Sequence, residues 1–370
     1  MEESPAVVID LGSGICKSGF AGDDAPRSVI PTIVGRPKND KIIDIAAKDV
    51  YLGNEALENK GILYLSRPIE NGFIKDSEDV TKFLHHVFFN ELRVATEEHT
   101  VLISEAPQTP TRMREKMAEI MFENFNVPGL SFGNTSVMAL YASGQVTGLV
   151  VDSGQDLSRI VPIFEGYSIS SGIIRLNYAG KNLTQFMNKL LSDKGVHLST
   201  TAELEIARQV KEKFCYVSMN YQSELESAKH NKILGKNFVL PDGQNLLVDE
   251  ERFKCPEALF NPLLMGIEGL GIDQAIYKSI SSCDIDLRKN FYSSITLYGG
   301  NTMFPGFESR LEKELVNMIP KAIKVKITAL PERKYLVWFG GSVFASLNSF
   351  NKTIITKAGY QEKGPSILHG

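Results

Sequence analysis

One pattern of apolar and polar positions opens the chain: an apolar run, an acid and a glycine-rich turn. The run from Ala6 to Ile9 meets Asp10, then glycines at positions 12 and 14, and then a second run that contains Lys17. Such alternation predicts a β-hairpin with a sharply bent tip. Short glycine-rich turns are common, so this segment alone fits an ordinary hairpin with a solvent-facing Asp10 equally well.

The pattern occurs again near the middle of the chain. Leu149–Gly154 repeats the strand, acid and turn, and Leu157–Phe164 forms the returning strand. A third glycine-rich turn, Ser294–Thr302, leads into a helical stretch at Gly306–Met318. Backbone amides in such turns and at helix starts bind anions, and a divalent cation reconciles a nearby acid with phosphate. Together the three turns predict a site that binds a nucleotide.

Helical spacing of apolar residues predicts further elements. We expect a capped helix over Ser77–Leu92, another that opens at Thr109–Pro110, and a third over Thr200–Met219 that begins with a capping box. Tyr335–Leu347 is predicted to form a strand and the start of a helix. The apolar segment Pro262–Ile267 is either an exposed contact loop or a buried connector.

Composition narrows the class of protein. The 370 residues carry a formal charge of −4, which suits a soluble protein of about two domains. A basic stripe for nucleic acid and an apolar run long enough for a membrane span are both missing from the sequence, so neither partner is expected. Four scattered cysteines and the acidic start Met1–Pro5 favour the cytoplasm, with a nuclear pool left open.

Four motifs carry a resemblance to a known family. Gly19–Pro26, Val161–Tyr167, Pro331–Tyr335 and Gly364–Ile367 resemble the actin family, within the wider group of actin, heat-shock chaperone and sugar-kinase ATPases. The resemblance runs almost from end to end with very few insertions.

The resemblance implies an α/β fold of two similar actin-like ATPase (ribonuclease H-like) domains around a nucleotide cleft. Residues 1–142 with 336–370 would form the first domain, with a small subdomain inserted at 32–67. Residues 143–335 would form the second, with a subdomain inserted at 179–267.

The same resemblance implies ATP or ADP with Mg²⁺ (or Ca²⁺) as cofactors. Asp10 and Asp152 would hold the metal through water. The cofactor-binding residues it implies are Gly12, Ser13, Gly14, Ile15, Lys17, Ser153, Gly154, Arg208, Lys211, Glu212, Gly299, Gly300, Asn301, Thr302, Met303 and Lys334. Without the resemblance, Arg208 and Glu212 fit equally well as an ion pair on a solvated helix face.

Two departures from the family pattern concern the attacking water. Thr135 stands where actins carry a glutamine that positions this water, and Arg159 stands where they carry a histidine. Gln155 and Asp156 replace an acid and a glycine. The catalytic candidates are therefore Thr135, Asp152 and Arg159, and we expect weakened hydrolysis of ATP. Alternatively, Arg159 acts like an arginine finger supplied in cis and raises the rate.

Two functional classes follow from the resemblance. One is a cytoskeletal ATP-binding subunit that assembles with itself or with conventional actin, and the other is an actin-related protein that holds ATP as a structural cofactor in a larger assembly. A sugar or small-molecule kinase of the same fold is a more distant alternative. Actin-binding proteins would dock at an apolar cleft near Tyr141, Val343, Phe344 and Leu347. The loop Lys38–Lys48 is more charged at its centre than in conventional actin, which affects the expected filament contact.

Overall fold

The computed structural model describes residues 4–38, 48–230, 235–240 and 243–369. The chain divides into two compact units. Unit one comprises Met1–Val146 with Tyr335–Gly370, and unit two comprises Thr147–Lys334. The centre of the charged loop, residues 39–47, lies outside the described residues.

The strands, in chain order, are β1 (Val7–Leu11), β2 (Ile15–Phe20), β3 (Ser28–Pro31), β4 (Val34–Pro37), β5 (Tyr51–Leu52), β6 (Leu63–Ser66), β7 (Ile69–Glu70), β8 (Phe73–Ile74), β9 (Val101–Glu105), β10 (Gly129–Asn134), β11 (Gly148–Ser153), β12 (Ser158–Phe164), β13 (Tyr167–Ser168), β14 (Ile174–Leu176), β15 (Lys236–Val239), β16 (Asn245–Val248), β17 (Ile295–Tyr298), β18 (Ile327–Thr328) and β19 (Ile355–Thr356).

The α-helices are α1 (Gly53–Glu58), α2 (Ser77–His85), α3 (Thr111–Glu119), α4 (Thr135–Ala142), α5 (Gly180–Ser192), α6 (Thr201–Phe214), α7 (Tyr221–His230), α8 (Glu251–Glu257), α9 (Ile272–Ser281), α10 (Ile285–Tyr292), α11 (Phe307–Met318), α12 (Leu336–Ala345) and α13 (Lys357–Lys363). α2 and α3 continue as π-helices, His86–Leu92 and Ile120–Asn124. The 3₁₀-helices are Thr96–Glu98, Ser170–Gly172, Pro262–Met265, Gly300–Met303, Asn348–Thr353 and Gly364–His369.

Unit one is built on a mixed sheet with the strand order β19-β10-β9-β1-β2-β3. β1 pairs antiparallel with β2 and parallel with β9, and β9 pairs parallel with β10. Val7, Ile9, Val101 and Leu130 are buried in one core with helix residues such as Phe83. The three parallel strands bring the ends of β1, β9 and β10 to one edge of the sheet.

Unit two repeats this plan with the strand order β13-β12-β11-β17-β18, to which β14 adds by pairing with β12. β11 is antiparallel to β12 and parallel to β17. Leu149, Val151, Leu297 and Phe307 lie in a second core. β1 and β11 therefore have equivalent places in the two sheets, and each carries its acid at its carboxyl end.

Smaller β-sheets lie outside the main sheet of each unit. In unit one, β5, β4 and β6 form a three-stranded sheet over a small core of Ile33, Ala56 and Leu63. In unit two, β15 and β16 form a two-stranded sheet.

The predicted strand within Tyr335–Leu347 is wrong, because the segment forms a single helix, α12. Its two central glycines permit close packing against α4. A Cβ at Gly340 would lie 1.7 Å from the carbonyl oxygen of Met138, and one at Gly341 would lie 2.9 Å from Val8 Cγ1. Glycine normally weakens a helix, but here the glycine pair removes a clash.

The helix predicted over Thr200–Met219 begins where expected and ends early. The Thr200 hydroxyl accepts from the Glu203 amide, and Glu203 returns the bond, so the capping box is confirmed. The helix stops at Phe214, because Cys215 is extended and the next amides donate elsewhere. Tyr216 donates to Arg252 O at 3.0 Å and Val217 donates to Pro305 O at 2.8 Å.

Among the residues that the structure describes, every α-helix is too short or too polar to cross a membrane.

Candidate functional site

The hairpin of β1 and β2 holds a buried acid between two donors. Asp10 and Lys17 are cross-strand neighbours, and Lys17 Nζ lies 2.7 Å from Asp10 Oδ2. The Ser104 hydroxyl donates to Asp10 Oδ1 at 2.7 Å. Ser104 was not a sequence candidate. Its position in a strand beside β1 was the available signal, but the parallel pairing of β9 had to be known first.

The turn of this hairpin is fixed through its carbonyl groups. Thr32 Oγ1 donates to Gly12 O at 2.7 Å, and Arg67 Nη1 donates to Ser13 O at 2.8 Å and Gly14 O at 3.2 Å. Since these carbonyls accept protein donors, the capacity of the turn to bind an anion rests on its amides. Neither Thr32 nor Arg67 lies in a pattern that marks it from sequence.

The tip leaves little room around its first glycine. A Cβ at Gly12 would lie 2.9 Å from the carbonyl oxygen of Ile15, the first residue of β2. A larger residue at this position would open the turn.

The hairpin of β11 and β12 repeats the arrangement with arginine in place of lysine. Asp152 and Arg159 are cross-strand neighbours, and Arg159 Nη1 lies 3.7 Å from Asp152 Oδ2. Both side chains are 13% exposed. Arg175 on β14 lies in register with Arg159. Burial lowers the pKa of Arg175, and the positive charge of Arg159 lowers it further.

The second turn is held by side chains that were predicted to bind nucleotide. The Ser158 hydroxyl donates to Tyr178 O at 3.0 Å. Its oxygen therefore accepts the 2.8 Å hydrogen bond from the Ser153 hydroxyl. Asn301 Nδ2 donates to Ser153 Oγ at 3.1 Å and to Gly154 O at 2.7 Å. The Ser153 hydroxyl and the Asn301 amide are therefore engaged inside unit two.

The third turn packs directly against the second hairpin. Gly299 has φ +96°, and a Cβ there would lie 2.4 Å from Ser153 O and 2.9 Å from Asp152 Oδ1. Only glycine fits this position. Gly300 differs, since an added Cβ would meet no atom within 4 Å, and Met303 is 37% exposed.

The next residues of this turn face inward. Thr302 is fully buried, and its hydroxyl donates to Gly299 O at 2.8 Å. Its carbonyl accepts from Arg333 Nη2 at 2.9 Å. Arg333 precedes Lys334, the half-buried last residue of unit two.

The three candidates on α6 divide into two groups. Arg208 Nη1 bonds Glu212 at 2.9 Å, so the i,i+4 ion pair allowed by the spacing is formed. Lys211 is 2% exposed, and its Nζ donates to Gly180 O and Thr184 Oγ1, each at 2.9 Å. Burial lowers the pKa of Lys211. The Gly180 amide in turn donates to Gly154 O at 3.0 Å, which links Lys211 to the second turn.

Thr135 is the first residue of α4 and follows β10 in unit one. The preceding Asn134 is the N-cap, and its Oδ1 accepts from the amides of Ser136 at 3.0 Å and Val137 at 3.3 Å. Thr135 thus lies at the same sheet edge as Asp10 and Ser104. Asp152 and Arg159, the other catalytic candidates, belong to unit two.

The predicted docking cleft is an apolar surface of α4 and α12. Val343 is 52% exposed and Leu347 is 50% exposed, while Tyr141 and Phe344 are half-buried. Phe344 packs edge-on against Phe350 at 5.7 Å. The second predicted contact, the 3₁₀-helix Pro262–Met265 with Ile267, is mixed. Leu263 is 63% exposed, whereas Leu264, Met265 and Ile267 pack against the core.

The donor set fits a magnesium nucleotide rather than a free metal. Among the described residues, there is no group of three or more His, Cys, Asp or Glu side chains that could hold a metal ion. Magnesium sites in nucleotide-binding proteins commonly use only one or two carboxylates, together with waters and the phosphates. Asp10 in unit one and Asp152 in unit two each provide one carboxylate next to a glycine-rich turn.

The comparison with known families agrees with this architecture. A family model described as Actin matches residues 1–370, which is the whole chain. The predicted α/β class with an actin-type fold is thereby confirmed. The chain belongs to the actin family.

Proposed function

We propose that this chain binds ATP with a divalent cation and forms, or joins, actin-like filaments of the cytoskeleton in the cytoplasm. The observation that carries the proposal is the repeated hairpin. Asp10 with Lys17 and Asp152 with Arg159 occupy the same cross-strand register, each next to a glycine-rich turn. Two such turns in one chain suit a ligand with several phosphates.

The chain supplies several groups for such a ligand. The amides of Ser13 and Gly14 and the ammonium of Lys17 would bind phosphate oxygens from unit one. Gly154 and the open face of Gly300 would do so from unit two. Asp10 and Asp152 would hold Mg²⁺ through water. When bound, the metal neutralises charge on the terminal phosphates.

We expect the hydrolysis of ATP to be slow, because the groups that would handle the attacking water are changed. The attacking water must be held in line and must give up a proton. Thr135 offers one short hydroxyl for this task, and the Arg159 guanidinium cannot accept a proton near neutral pH.

Assembly rests on exposed apolar side chains. Leu263, Val343 and Leu347 are each at least half exposed. Exposed apolar patches commonly mark sites where a partner protein covers them. We take copies of this chain, or conventional actin, as the partner.

A second candidate function is an actin-related subunit that keeps ATP as a structural cofactor. The ion pair between Arg159 and Asp152 favours it, because a permanent cation at the metal-binding acid suits retention of nucleotide more than turnover.

The test is isothermal titration of ATP, followed by sedimentation and electron microscopy of the pellet in ATP and Mg²⁺. Binding with filaments supports the first candidate. Binding without filaments supports the second, and no binding would contradict both.

A further inference from the structure

The second hairpin differs from the first in the cation that faces its acid. Arg159 replaces the histidine expected from the family pattern, and its guanidinium lies beside Asp152 Oδ2 at 3.7 Å. The pair is largely shielded from water, since each side chain is only 13% exposed. Charge pairs in such surroundings interact more strongly than those on an open surface.

The other oxygen of Asp152 has a defined surrounding as well. Oδ1 lies next to the backbone of the two turns, where a Cβ added at Gly299 would approach within 2.9 Å and one at Gly154 within 3.8 Å. Oδ1 therefore faces the crowded side, and Oδ2 is the oxygen next to a fixed positive charge.

We propose that Arg159 takes over part of the role of the divalent cation at Asp152, so that this chain binds ATP with a weak requirement for Mg²⁺. The inference rests on the proposed ATP binding. A metal that approaches Asp152 must share its carboxylate with Arg159, and the two positive charges repel each other. The same guanidinium supplies positive charge to the phosphates when the metal is absent.

Arginine is suited to this role in a way that histidine is not. The guanidinium stays charged at every physiological pH and is weakly hydrated, so it pairs with a carboxylate in a shielded place. A histidine, whose unperturbed pKa is about 6.5, can lose its charge in the physiological range and leave the Asp152 carboxylate to a metal.

The lysine of the first hairpin does not produce this departure by itself. Lys17 belongs to the pattern that the chain shares with the actin family, in which metal and lysine are expected together. The departure therefore lies in Arg159. Arg175 provides a matched control, because it is in register on the adjacent strand and its substitution removes the same charge.

The experiment measures the dissociation constant of ATP in EDTA and in millimolar Mg²⁺ by isothermal titration. The ratio of the two constants is the coupling between metal and nucleotide. We expect a ratio below about 5 in the wild-type protein, the lower end of ordinary coupling. Arg159→Gln should raise this ratio at least about fivefold, while Arg175→Gln should keep the wild-type ratio.

A second readout follows the metal itself. Loss of the free Mn²⁺ signal in electron paramagnetic resonance, with ATP present, should show tighter Mn²⁺ binding in Arg159→Gln than in the wild-type protein or Arg175→Gln. Circular dichroism verifies the fold of each variant. If Arg159→Gln does not fold, Arg159→Lys replaces it and, because it keeps the charge, should keep the wild-type ratio of dissociation constants. A strong dependence of ATP binding on Mg²⁺ in the wild-type protein would then overturn the inference.

The outcomes separate the two claims. ATP binding that depends strongly on Mg²⁺ in the wild-type protein, with a ratio unchanged in Arg159→Gln, overturns this inference and leaves the proposed function intact. An equal loss of affinity with and without Mg²⁺ in Arg159→Gln also overturns it, since Arg159 would then bind phosphate alone. Absence of ATP binding in both conditions overturns the proposed function and the inference with it.

Discussion

Arg159 lies opposite Asp152 in the same register that places Lys17 opposite Asp10. The two hairpins thus repeat one cross-strand pair of an acid and a cation. Cross-strand pairs of opposite charge contribute only about 0.2–1 kcal/mol to a sheet. The proposed charged ligand would account for an acid near the carboxyl end of a central strand, beside a cation and a glycine-rich turn, in both units.

The first prediction concerns stabilisation by the ligand. ATP with Mg²⁺ should raise the free energy of unfolding by about 4 kcal/mol when free ATP is about a thousand times its dissociation constant. Differential scanning fluorimetry across ATP concentrations measures the shift in melting temperature. Asp10→Asn should lose much of the shift, because it removes the charge shared by Lys17 and the metal.

Asp24→Asn is the matched control, since Asp24 is an exposed acid in the same unit. A melting temperature that does not respond to millimolar ATP and Mg²⁺ in the wild-type protein would rule out the binding hypothesis.

The second prediction separates contact from core in the segment at 262–267. Leu264 and Met265 lie at the centre of this apolar segment, but both pack partly against the core of unit two. Leu263 is the exposed residue. We expect Leu263→Asp to abolish assembly in a sedimentation assay and to change the unfolding free energy by no more than about 0.5 kcal/mol.

Leu264→Asp serves as the comparison. It should cost about 1–3 kcal/mol of stability, because it places a charged group against apolar side chains. Wild-type sedimentation by Leu263→Asp would show that this surface is not a filament contact.

The third prediction uses the buried Lys211. Burial lowers its pKa in the folded protein, so between the folded pKa and the unfolded value of about 10.4 the unfolded chain binds more protons. The contribution of this group to stability therefore becomes more favourable as the pH rises through that window. Below the folded pKa its penalty is fully present.

Denaturant unfolding of wild-type protein and Lys211→Met across alkaline pH measures the effect. We expect the stability of the wild-type protein, relative to the variant, to increase with pH. Lys213→Met, an exposed lysine on the same helix, should show no such trend relative to wild type. A pH-independent difference for Lys211→Met would show that burial does not lower the pKa of Lys211.

Local patterns allowed much of the framework to be predicted. An apolar run that ends in an acid and glycines predicts a hairpin, and both hairpins form, with Asp10 on β1 and Asp152 on β11. Contacts between distant segments could not be predicted in this way. The Gly340–Gly341 pair fits inside a helix only because α4 packs closely against it, and Ser104 is next to Asp10 only through parallel pairing.

Side-chain roles were the least predictable part of the site. Ser153, Asn301 and Lys211 were assigned to the ligand, yet their side chains bond neighbouring segments of unit two. A sequence pattern marks the residue types of a site, whereas the division between direct and supporting roles depends on which donors reach which acceptors. The domain boundaries and the filament contacts stay predictions.

The last prediction is that hydrolysis is slow because of Thr135 and can be raised by one substitution. Holding a water and taking its proton contributes typically about 10²–10⁴-fold to a rate. A threonine hydroxyl is shorter than a glutamine amide and lacks the combined carbonyl acceptor and NH₂ donor. The N-cap of α4 is the Asn134 side chain, so replacing Thr135 leaves this cap in place.

Thr135→Gln should therefore raise phosphate release during assembly, with about 10²-fold as the upper expectation if Arg159 still cannot take the proton. Thr135→Ser, which keeps a hydroxyl, is the control and should stay at the wild-type rate. The measurement is phosphate release beside conventional actin under the same conditions. Wild-type turnover equal to that of conventional actin would contradict the impairment, and a further loss of rate in Arg159→Ala would then assign Arg159 to charge stabilisation in the transition state.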